Sequence, residues 1–185
     1  MSGVIALALV AVVAGAGVWL YNSLVGLRNQ VRSAWAQIDV QLKRRHDLIP
    51  NLVAAVEGYL RHERELFERI TAARTRALAA TGAGAIGAAE GALSQAVGGL
   101  LAVMERYPDL KANQNVLALQ EELVTTENRI GFARQLYNDL VARFNTRQQI
   151  FPANLVAGAL GFQTAEFFQA DATERQLTQI AFGSR

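Results

Sequence analysis

The chain opens with a long run of apolar and small residues. Val4 to Tyr21 reads V-I-A-L-A-L-V-A-V-V-A-G-A-G-V-W-L-Y, and the first charged side chain is Arg28. As an α-helix this run would span roughly 27 Å, close to the ~30 Å hydrocarbon core of a bilayer. Trp19 stands near its end, where interfacial aromatic residues lie in membrane proteins. The pattern predicts a transmembrane anchor at residues 1–22.

A cleaved secretory signal is the alternative interpretation of this segment. Such a signal has basic residues before its apolar core, but Ser2 and Gly3 carry no charge. Basic side chains instead follow the apolar run, at Arg28, Arg32, Lys43, Arg44 and Arg45. Under the positive-inside rule, this places the N-terminus outside and the bulk of a single-pass protein in the cytoplasm.

Apolar residues then recur at alternating steps of four and three, which is typical of helices that pack at small crossing angles. Two charged residues, Arg45 and Glu63, interrupt the row. Charges at such positions tend to specify helix register or partner choice. The row runs Val31, Trp35, Ile38, Leu42, Arg45, Ile49, Leu52, Val56, Tyr59, Glu63, Leu66, Ile70, Ala73 and Ala77.

Pro50 falls inside this row without changing its phase. A proline removes one backbone hydrogen bond and clashes with the preceding turn, so it kinks or breaks a helix. Because a loop would have little reason to preserve the phase, we expect one kinked but continuous helix over residues 23–80. Two separate helices are the alternative.

Further helices are predicted after this first one. Residues 81–87 are rich in glycine and alanine and predict a turn, because glycine costs up to ~1 kcal/mol in a helix relative to alanine. Apolar spacing predicts helices at 88–106 and 113–149, with Asn113 as the N-cap of the longer one. A short apolar helix is expected at 153–160.

The predicted fold is therefore all-α. A transmembrane helix precedes a long-helix antiparallel bundle of three to four helices with coiled-coil-like packing, which occupies residues 23–168. Residues 169–185 are expected to form a polar tail. An alternating strand pattern occurs nowhere in the sequence.

Two pairs of asparagines are each seven residues apart, Asn22 with Asn29 and Asn138 with Asn145. Asparagine has poor helix propensity, so we expect tertiary partners for it. We interpret the pairs as interhelical polar layers that set register. A ligand or partner site is the alternative.

The inventory of reactive side chains indicates no chemistry. The chain has no cysteine, and neither His46 nor His62 has a second ligand at metal-binding spacing. Most carboxylates lie beside arginines, as on solvated helix faces. A net charge of +2 is weak for nucleic-acid binding. We expect no catalytic residue, cofactor, metal or nucleic-acid partner.

The lengths of the predicted helices suggest self-association. The apolar row from Val31 to Ala77 would extend roughly 70 Å, whereas the helix at 88–106 covers roughly 28 Å. The membrane-proximal part, Val31 to Leu42 with Trp35, is then expected to lack an intrachain partner. Exposed apolar seams mark protein contacts. This argument predicts a homo-oligomer that contacts itself through the membrane-proximal helix.

Several long motifs occur in these same segments. They are Y-N-x-L-V-x-L-R-N from Tyr21, A-W-x-x-I-D-V-Q-L-K-R-R-x-D-L-I-P-N-L-V from Ala34, Y-P-D-L-K-A-N from Tyr107, T-E-N-x-I from Thr126, A-R-x-x-Y-N from Ala133, Phe151-Pro152 and Gly161-Phe162. Together they resemble the LemA family over nearly the whole chain. The resemblance implies a bacterial membrane-anchored protein with a short outside N-terminus, a cytoplasmic helical bundle and no established enzymatic activity. One relative acts in forming the internal membrane compartments of magnetic bacteria.

These observations lead to two hypotheses. The first is a non-enzymatic scaffold in the bacterial inner membrane that contacts the bilayer and self-assembles or recruits partners, in membrane organisation or remodelling. The second is an adaptor that binds one specific protein in envelope quality control or signalling. The candidate interaction and register residues are Asn22, Asn29, Trp35, Arg45, Pro50, Glu63, Asn138 and Asn145.

Overall fold

A computed structural model describes residues 1–168, and helices dominate that part of the chain. No strand occurs among residues 1–168, so the predicted all-α class is confirmed. The predicted polar tail at 169–185 lies outside the described residues. The six helices of the described part are α1 (Ser2–Glu57), α2 (Arg64–Ala79), α3 (Ala83–Met104), α4 (Pro108–Lys111), α5 (Gln114–Gln149) and α6 (Ala153–Ala159).

Helix α1 continues through Pro50, as the unchanged phase of the apolar row predicts. The expectation that the same helix reaches residue 80 is wrong, because α1 ends at Glu57 and α2 begins at Arg64. Gly58 follows the last helical residue, and glycine disfavours continuation of a helix relative to alanine. The turn also directs Leu60 into the core, where its side chain is fully buried.

Helix α3 begins earlier than the glycine content suggests. The predicted turn at 81–87 and helix at 88–106 are corrected to a turn around Gly82, which has a φ of 85°, and a helix from Ala83 to Met104. Small residues allow α3 to pack closely on α2. At Gly99, a β-carbon would stand 3.5 Å from Leu66 Cδ1 of α2. This tertiary contact compensates for the poor helix propensity of glycine.

Helix α5 has the N-cap that the sequence predicts. The Asn113 side-chain oxygen accepts hydrogen bonds from the backbone N–H groups of Asn115, at 3.0 Å, and Val116, at 3.4 Å. Before it, Pro108 occupies the first turn of the short helix α4, where its missing N–H costs nothing. Helix α6 ends at Ala159, one residue before the predicted end.

The described residues form two compact units, and α1 and α5 contribute to both. The first unit comprises 1–37 and 133–165, and the second comprises 38–132 and 166–168. In the first unit, α1 and α5 run antiparallel, because Trp35 contacts Tyr137 while Trp19 contacts Arg147 further along α5.

The core of the second unit is made by α1, α2, α3 and α5, with contributions from α4 and from the turn between α1 and α2. Its members are buried apolar side chains that follow the predicted helical spacing on each element. They include Ile49, Leu52, Val56, Leu60, Leu66, Ile70, Ala73, Leu93, Val97, Leu100, Leu110, Val116 and Leu123.

The membrane-proximal apolar row does not lack an intrachain partner, so that expectation is wrong. Val31 and Ala34 are buried in the first unit, and Trp35 is half-buried with its ring centroid 5.3 Å from that of Tyr137. Ile38 and Leu42 are buried in the second unit. The row is covered because α5 has 36 residues and pairs with α1 in both units.

Candidate functional site

Arg45 of α1 is the largest side chain that is completely buried in the described part of the chain. Its guanidinium group reaches three polar side chains in the second unit. Nη1 donates to Glu90 Oε2 at 2.9 Å, and Nη2 donates to Ser94 Oγ at 2.8 Å. Nε lies 2.8 Å from Glu127 Oε1, but it is not aligned for a hydrogen bond, so this contact is an ion pair.

His46 completes the group from the next position of α1. Its Nε2 atom lies 2.8 Å from Glu90 Oε1, so both oxygens of the buried Glu90 carboxylate have a partner. We call Arg45, His46, Glu90, Ser94 and Glu127 the Arg45 cluster. It connects α1 to both α3 and α5.

Local helix geometry places these side chains together. Glu90 and Ser94 are four residues apart on α3 and therefore share one face. Arg44, the neighbour of Arg45, forms a more exposed ion pair with Glu122 of α5, at 2.6 Å. The consecutive arginines thus both contact α5 in the second unit.

Pro50 shapes the same region through a backbone group. In an α-helix, the carbonyl of residue 46 accepts a hydrogen bond from the N–H of residue 50, but proline has no N–H. In the structure, Arg74 Nε of α2 donates to the His46 carbonyl oxygen at 3.0 Å. The proline therefore leaves an acceptor on α1 that the neighbouring helix uses.

The electrostatics of the cluster are unbalanced. Two carboxylates face one guanidinium group, and burial raises the pKa of Glu127 above its usual value. Arg45 and the Ser94 hydroxyl oppose this rise in pKa, whereas the negative charge of Glu90 adds to it. Glu127 is also the more accessible of the two carboxylates, since its side chain is 32% exposed.

The arrangement is suited to holding helices in register. The charged groups of Arg45 and Glu90 form hydrogen bonds with each other, and further ones with Ser94 and His46. Buried charges of this kind specify which helices meet, because a misaligned packing would leave them unpaired. Within residues 1–168, no group of three or more His, Asp or Glu side chains is placed to hold a metal ion.

The predicted site residues are not brought together. Asn22 and Asn29 are exposed, so they form no buried layer within the described chain. Asn145 instead contacts the backbone of Ala165, donating to its carbonyl oxygen at 2.9 Å and accepting from its N–H at 2.8 Å. Asn138 is half-buried, while Pro50 is exposed on α1.

Glu63 does not occupy a helix seam, because α1 has ended before it. It is the N-cap residue of α2, half-buried, with Oε1 3.7 Å from Arg106 Nη2. Of the two charged residues in the apolar row, Arg45 has the buried, interhelical environment that the sequence pattern predicts, and Glu63 does not.

The partners of Arg45 were not identified from the sequence. Glu90 carries a usable signal, because it is the only charged residue between Ala83 and Met104. A lone charge in an otherwise apolar helix needs a buried partner of opposite sign. Glu127 carries no such signal, since it stands among other polar residues of α5.

The N-terminal part of α1 is the second functional feature. Its most apolar window has a mean hydropathy of 2.4, and only 6% of that window is buried within the described chain. Helix α3 is also long and apolar enough to cross a membrane, since its most apolar window has a mean hydropathy of 1.3. However, α3 packs against α2 and carries the ion-paired Glu90. The α1 segment is thus the better candidate for a membrane anchor.

Comparison with known proteins matches the LemA family over residues 34–182. The chain is 28% identical over 156 residues to Protein LemA of Metamycoplasma hominis, covering 83% of this chain and 71% of that protein. It is 26% identical over 175 residues to Magnetosome protein MamQ 2 of Paramagnetospirillum magneticum. It is 24% identical over 174 residues to Magnetosome protein MamQ of Magnetospirillum gryphiswaldense.

Both magnetosome relatives are aligned over 80% of this chain, which spans 64% of their own length. The family match covers most of the chain, including the α1 segment with Arg45 and Pro50 and the whole of α5. The chain belongs to the LemA family.

Proposed function

We propose that this protein is a non-enzymatic scaffold of the bacterial inner membrane, where it self-assembles or recruits partners to organise or remodel the membrane. The observation that carries the proposal is that α1 is one helix from Ser2 to Glu57. Its first part is apolar and unburied, and its later part supplies Arg45 to the bundle. The proposed anchor and part of the helical bundle thus belong to the same helix.

The proposed topology is a single pass with the N-terminus outside and the C-terminal domain in the cytoplasm. Its support is the distribution of charge around the anchor. The first unit has five arginines and one aspartate, Asp139, which is a formal net charge of +4 over its side chains. All of these charges follow the apolar segment in sequence, which under the positive-inside rule favours a cytoplasmic location.

Self-assembly is proposed through apolar side chains that the second unit leaves exposed. Phe132 is 75% exposed on α5, and Val40 on α1 and Val124 on α5 are exposed as well. Large exposed apolar side chains are candidates for protein contact when they form a patch. The names of the magnetosome relatives support a role in a larger assembly.

Light scattering of the full chain in mild detergent tests this proposal. We expect particles that contain several 20.1 kDa chains, and a shift toward single chains in the Phe132→Ser variant. Leu78→Ser, at an exposed position of α2, is the matched control and should leave particle size unchanged. Single chains in the unsubstituted protein, at concentrations above those in cells, would contradict self-assembly.

An adaptor in envelope quality control or signalling is the second candidate. A cavity of about 720 Å³ supports it, open to solvent beside the turn between α1 and α2. Its lining mixes arginines with apolar side chains, including Arg61, Arg64 and Phe67, which suits a peptide segment of a partner. Cross-linking in native membranes followed by mass spectrometry distinguishes the two, because an adaptor yields one recurrent partner, whereas a scaffold yields copies of itself or several different partners.

A further inference from the structure

Helix α6 and its flanking residues present apolar side chains to the outside of the first unit. Phe151 is 78% exposed, Leu155 is 62% exposed and Leu160 is 57% exposed, whereas Ala153 and Ala157 are buried. We call Phe151, Leu155 and Leu160 the α6 apolar surface. The 18 residues at positions 148–165 contain no charged side chain, which is unusual for a solvent-exposed connection in a domain of this composition.

The α6 apolar surface lies at the end of the first unit where the anchor emerges. The Arg147 guanidinium is 5.3 Å from the ring centroid of Trp19, and Arg147 precedes Phe151 by one helical turn. Phe162 follows α6 in the chain, and its ring packs edge-on against Tyr21, with 6.1 Å between the ring centroids. The apolar surface of the anchor therefore continues into that of α6.

Two arginines border this end of the unit. Besides Arg147 over Trp19, Arg28 lies 5.1 Å from the ring centroid of Phe162. The Nε atoms of both arginines are buried without a hydrogen-bond acceptor, and neither guanidinium forms a salt bridge with a carboxylate of residues 1–168. Guanidinium groups bind phosphate oxygens in a bidentate manner. Trp19, beside Arg147, and Tyr21, against Phe162, are of the aromatic types that favour the headgroup level of a bilayer.

We propose that the α6 apolar surface is a second membrane contact, which lies in the interface of the bilayer that the anchor spans. Phe151, Leu155 and Leu160 enter the boundary between headgroups and acyl chains, as the apolar face of an interfacial helix does. Arg28 and Arg147 bind the phosphates of anionic lipids. The proposal rests on the membrane anchoring assigned under the proposed function. Continuity with the anchor and the basic border favour a bilayer over a second copy of the chain as the occupant.

The absence of cysteine from the chain allows a direct test with single labels. Leu155→Cys carries an environment-sensitive fluorophore in the full chain, which is reconstituted into vesicles of equal parts phosphatidylcholine and phosphatidylglycerol. Lipids with a nitroxide near the headgroup then quench fluorophores at the interface. We expect several-fold stronger quenching at position 155 than at the matched control Leu78→Cys, an exposed leucine of α2 in the second unit.

A third label separates this proposal from the anchoring on which it rests. Val10→Cys lies in the exposed apolar part of α1 and should be quenched by nitroxides placed deep in the acyl chains. Quenching at position 10 together with equal, weak quenching at 155 and 78 would overturn the α6 proposal while anchoring stands. No quenching at position 10 would overturn the anchoring itself. A label at 155 that is shielded from aqueous iodide but insensitive to lipid nitroxides would identify a second copy as the occupant and also overturn the proposal.

The arginines are tested by lipid composition. In the Arg28→Gln, Arg147→Gln double variant, quenching at position 155 should fall to the level measured in pure phosphatidylcholine vesicles. Arg129→Gln, which removes an exposed arginine of the second unit, should preserve the dependence on phosphatidylglycerol. Far-UV circular dichroism confirms that each variant retains its helices. An unchanged dependence in the double variant would refute the role of these arginines at the headgroups.

Discussion

Arg45 and Arg44 are consecutive arginines with opposite environments. The Arg45 side chain is 1% exposed and ion-paired with Glu90 and Glu127, whereas the side chains of Arg44 and Glu122 are 48% and 40% exposed. An exposed pair is screened by water and contributes about 1 kcal/mol at most. Loss of one partner from a buried pair leaves an uncompensated charge in the interior.

This contrast predicts very different effects of the same substitution at neighbouring positions. Arg45→Met should lower the free energy of unfolding by about 3–5 kcal/mol, because Glu90 and Glu127 lose their cation. Arg44→Met should lower it by less than about 1 kcal/mol. Urea titration followed by far-UV circular dichroism in detergent measures both. Equal losses in the two variants would contradict the assigned burial of the cluster.

The raised pKa of Glu127 predicts a pH dependence of a specific sign. A carboxyl group with a higher pKa in the folded state binds more protons there than in the unfolded state, so its contribution to stability decreases as pH rises. The decrease begins near 4.5, the ordinary value, and ends above the raised pKa of the folded state. Below 4.5 the carboxyl group is protonated in both states and the contribution is constant.

We therefore expect the unsubstituted protein to lose stability relative to Glu127→Gln as pH rises through this window. The comparison between the two proteins cancels the titration of carboxylates outside the cluster. Thermal melts at a series of pH values measure it, with Glu121→Gln, at an exposed neighbouring position of α5, as the control. A difference that grows in the opposite direction would mean that Arg45, rather than burial, dominates the pKa of Glu127.

At the scale of elements, Pro50 has a role beyond that of a tolerated kink. It deprives the His46 carbonyl of its helical partner, and Arg74 of α2 donates to that oxygen instead. The first helix is thereby joined to α2 through a backbone acceptor that has lost its helical donor because of the proline four residues later. The heptad row keeps its phase across Pro50, where the helix continues, and also across residues 58–63, where the chain turns. An unchanged phase therefore does not by itself distinguish a continuous helix from a broken one.

A double-mutant cycle tests this role. Arg74→Met should cost about 1–3 kcal/mol in the unsubstituted protein, because the His46 carbonyl loses its donor. In the Pro50→Ala background the new N–H of residue 50 satisfies the same carbonyl, so the cost of Arg74→Met should be smaller. Pro50→Ala alone should preserve the fold and increase stability, since an interior proline costs ~3 kcal/mol. Identical costs of Arg74→Met in both backgrounds would show that the two residues are not coupled.

For the whole molecule, the central prediction concerns topology. A cysteine introduced at Ser2→Cys should react with a membrane-impermeant maleimide in intact cells, whereas Leu78→Cys, exposed on α2, should react only after the cells are opened. The reason is the excess of arginine on the C-terminal side of the anchor. The reverse pattern of labelling would place the helical bundle outside the cytoplasm and remove the support for the proposed topology.

The all-α class, the apolar segment of α1, the N-cap at Asn113 and the buried face of the first helix follow from the sequence alone. Each depends on residues close together in the chain: an uncharged run, a 3.5-residue period or a capping side chain. The buried status of Arg45, Ile49 and Leu52 was therefore predictable from one helix.

Tertiary structure alone decided where α1 ends, where α3 begins and which charges meet. Arg45 and Glu90 are 45 positions apart, and no local pattern specifies that pairing. Helix α3 forms despite its glycines because it packs against α2, and this tertiary contact overrides intrinsic propensity. The turn at residues 58–63 exists because burial of Leu60 in the core favours it over continued helix. The membrane-proximal apolar row of α1 is buried because α5 packs against it. The sequence of α1 alone does not specify that contact, since α5 is distant in the chain.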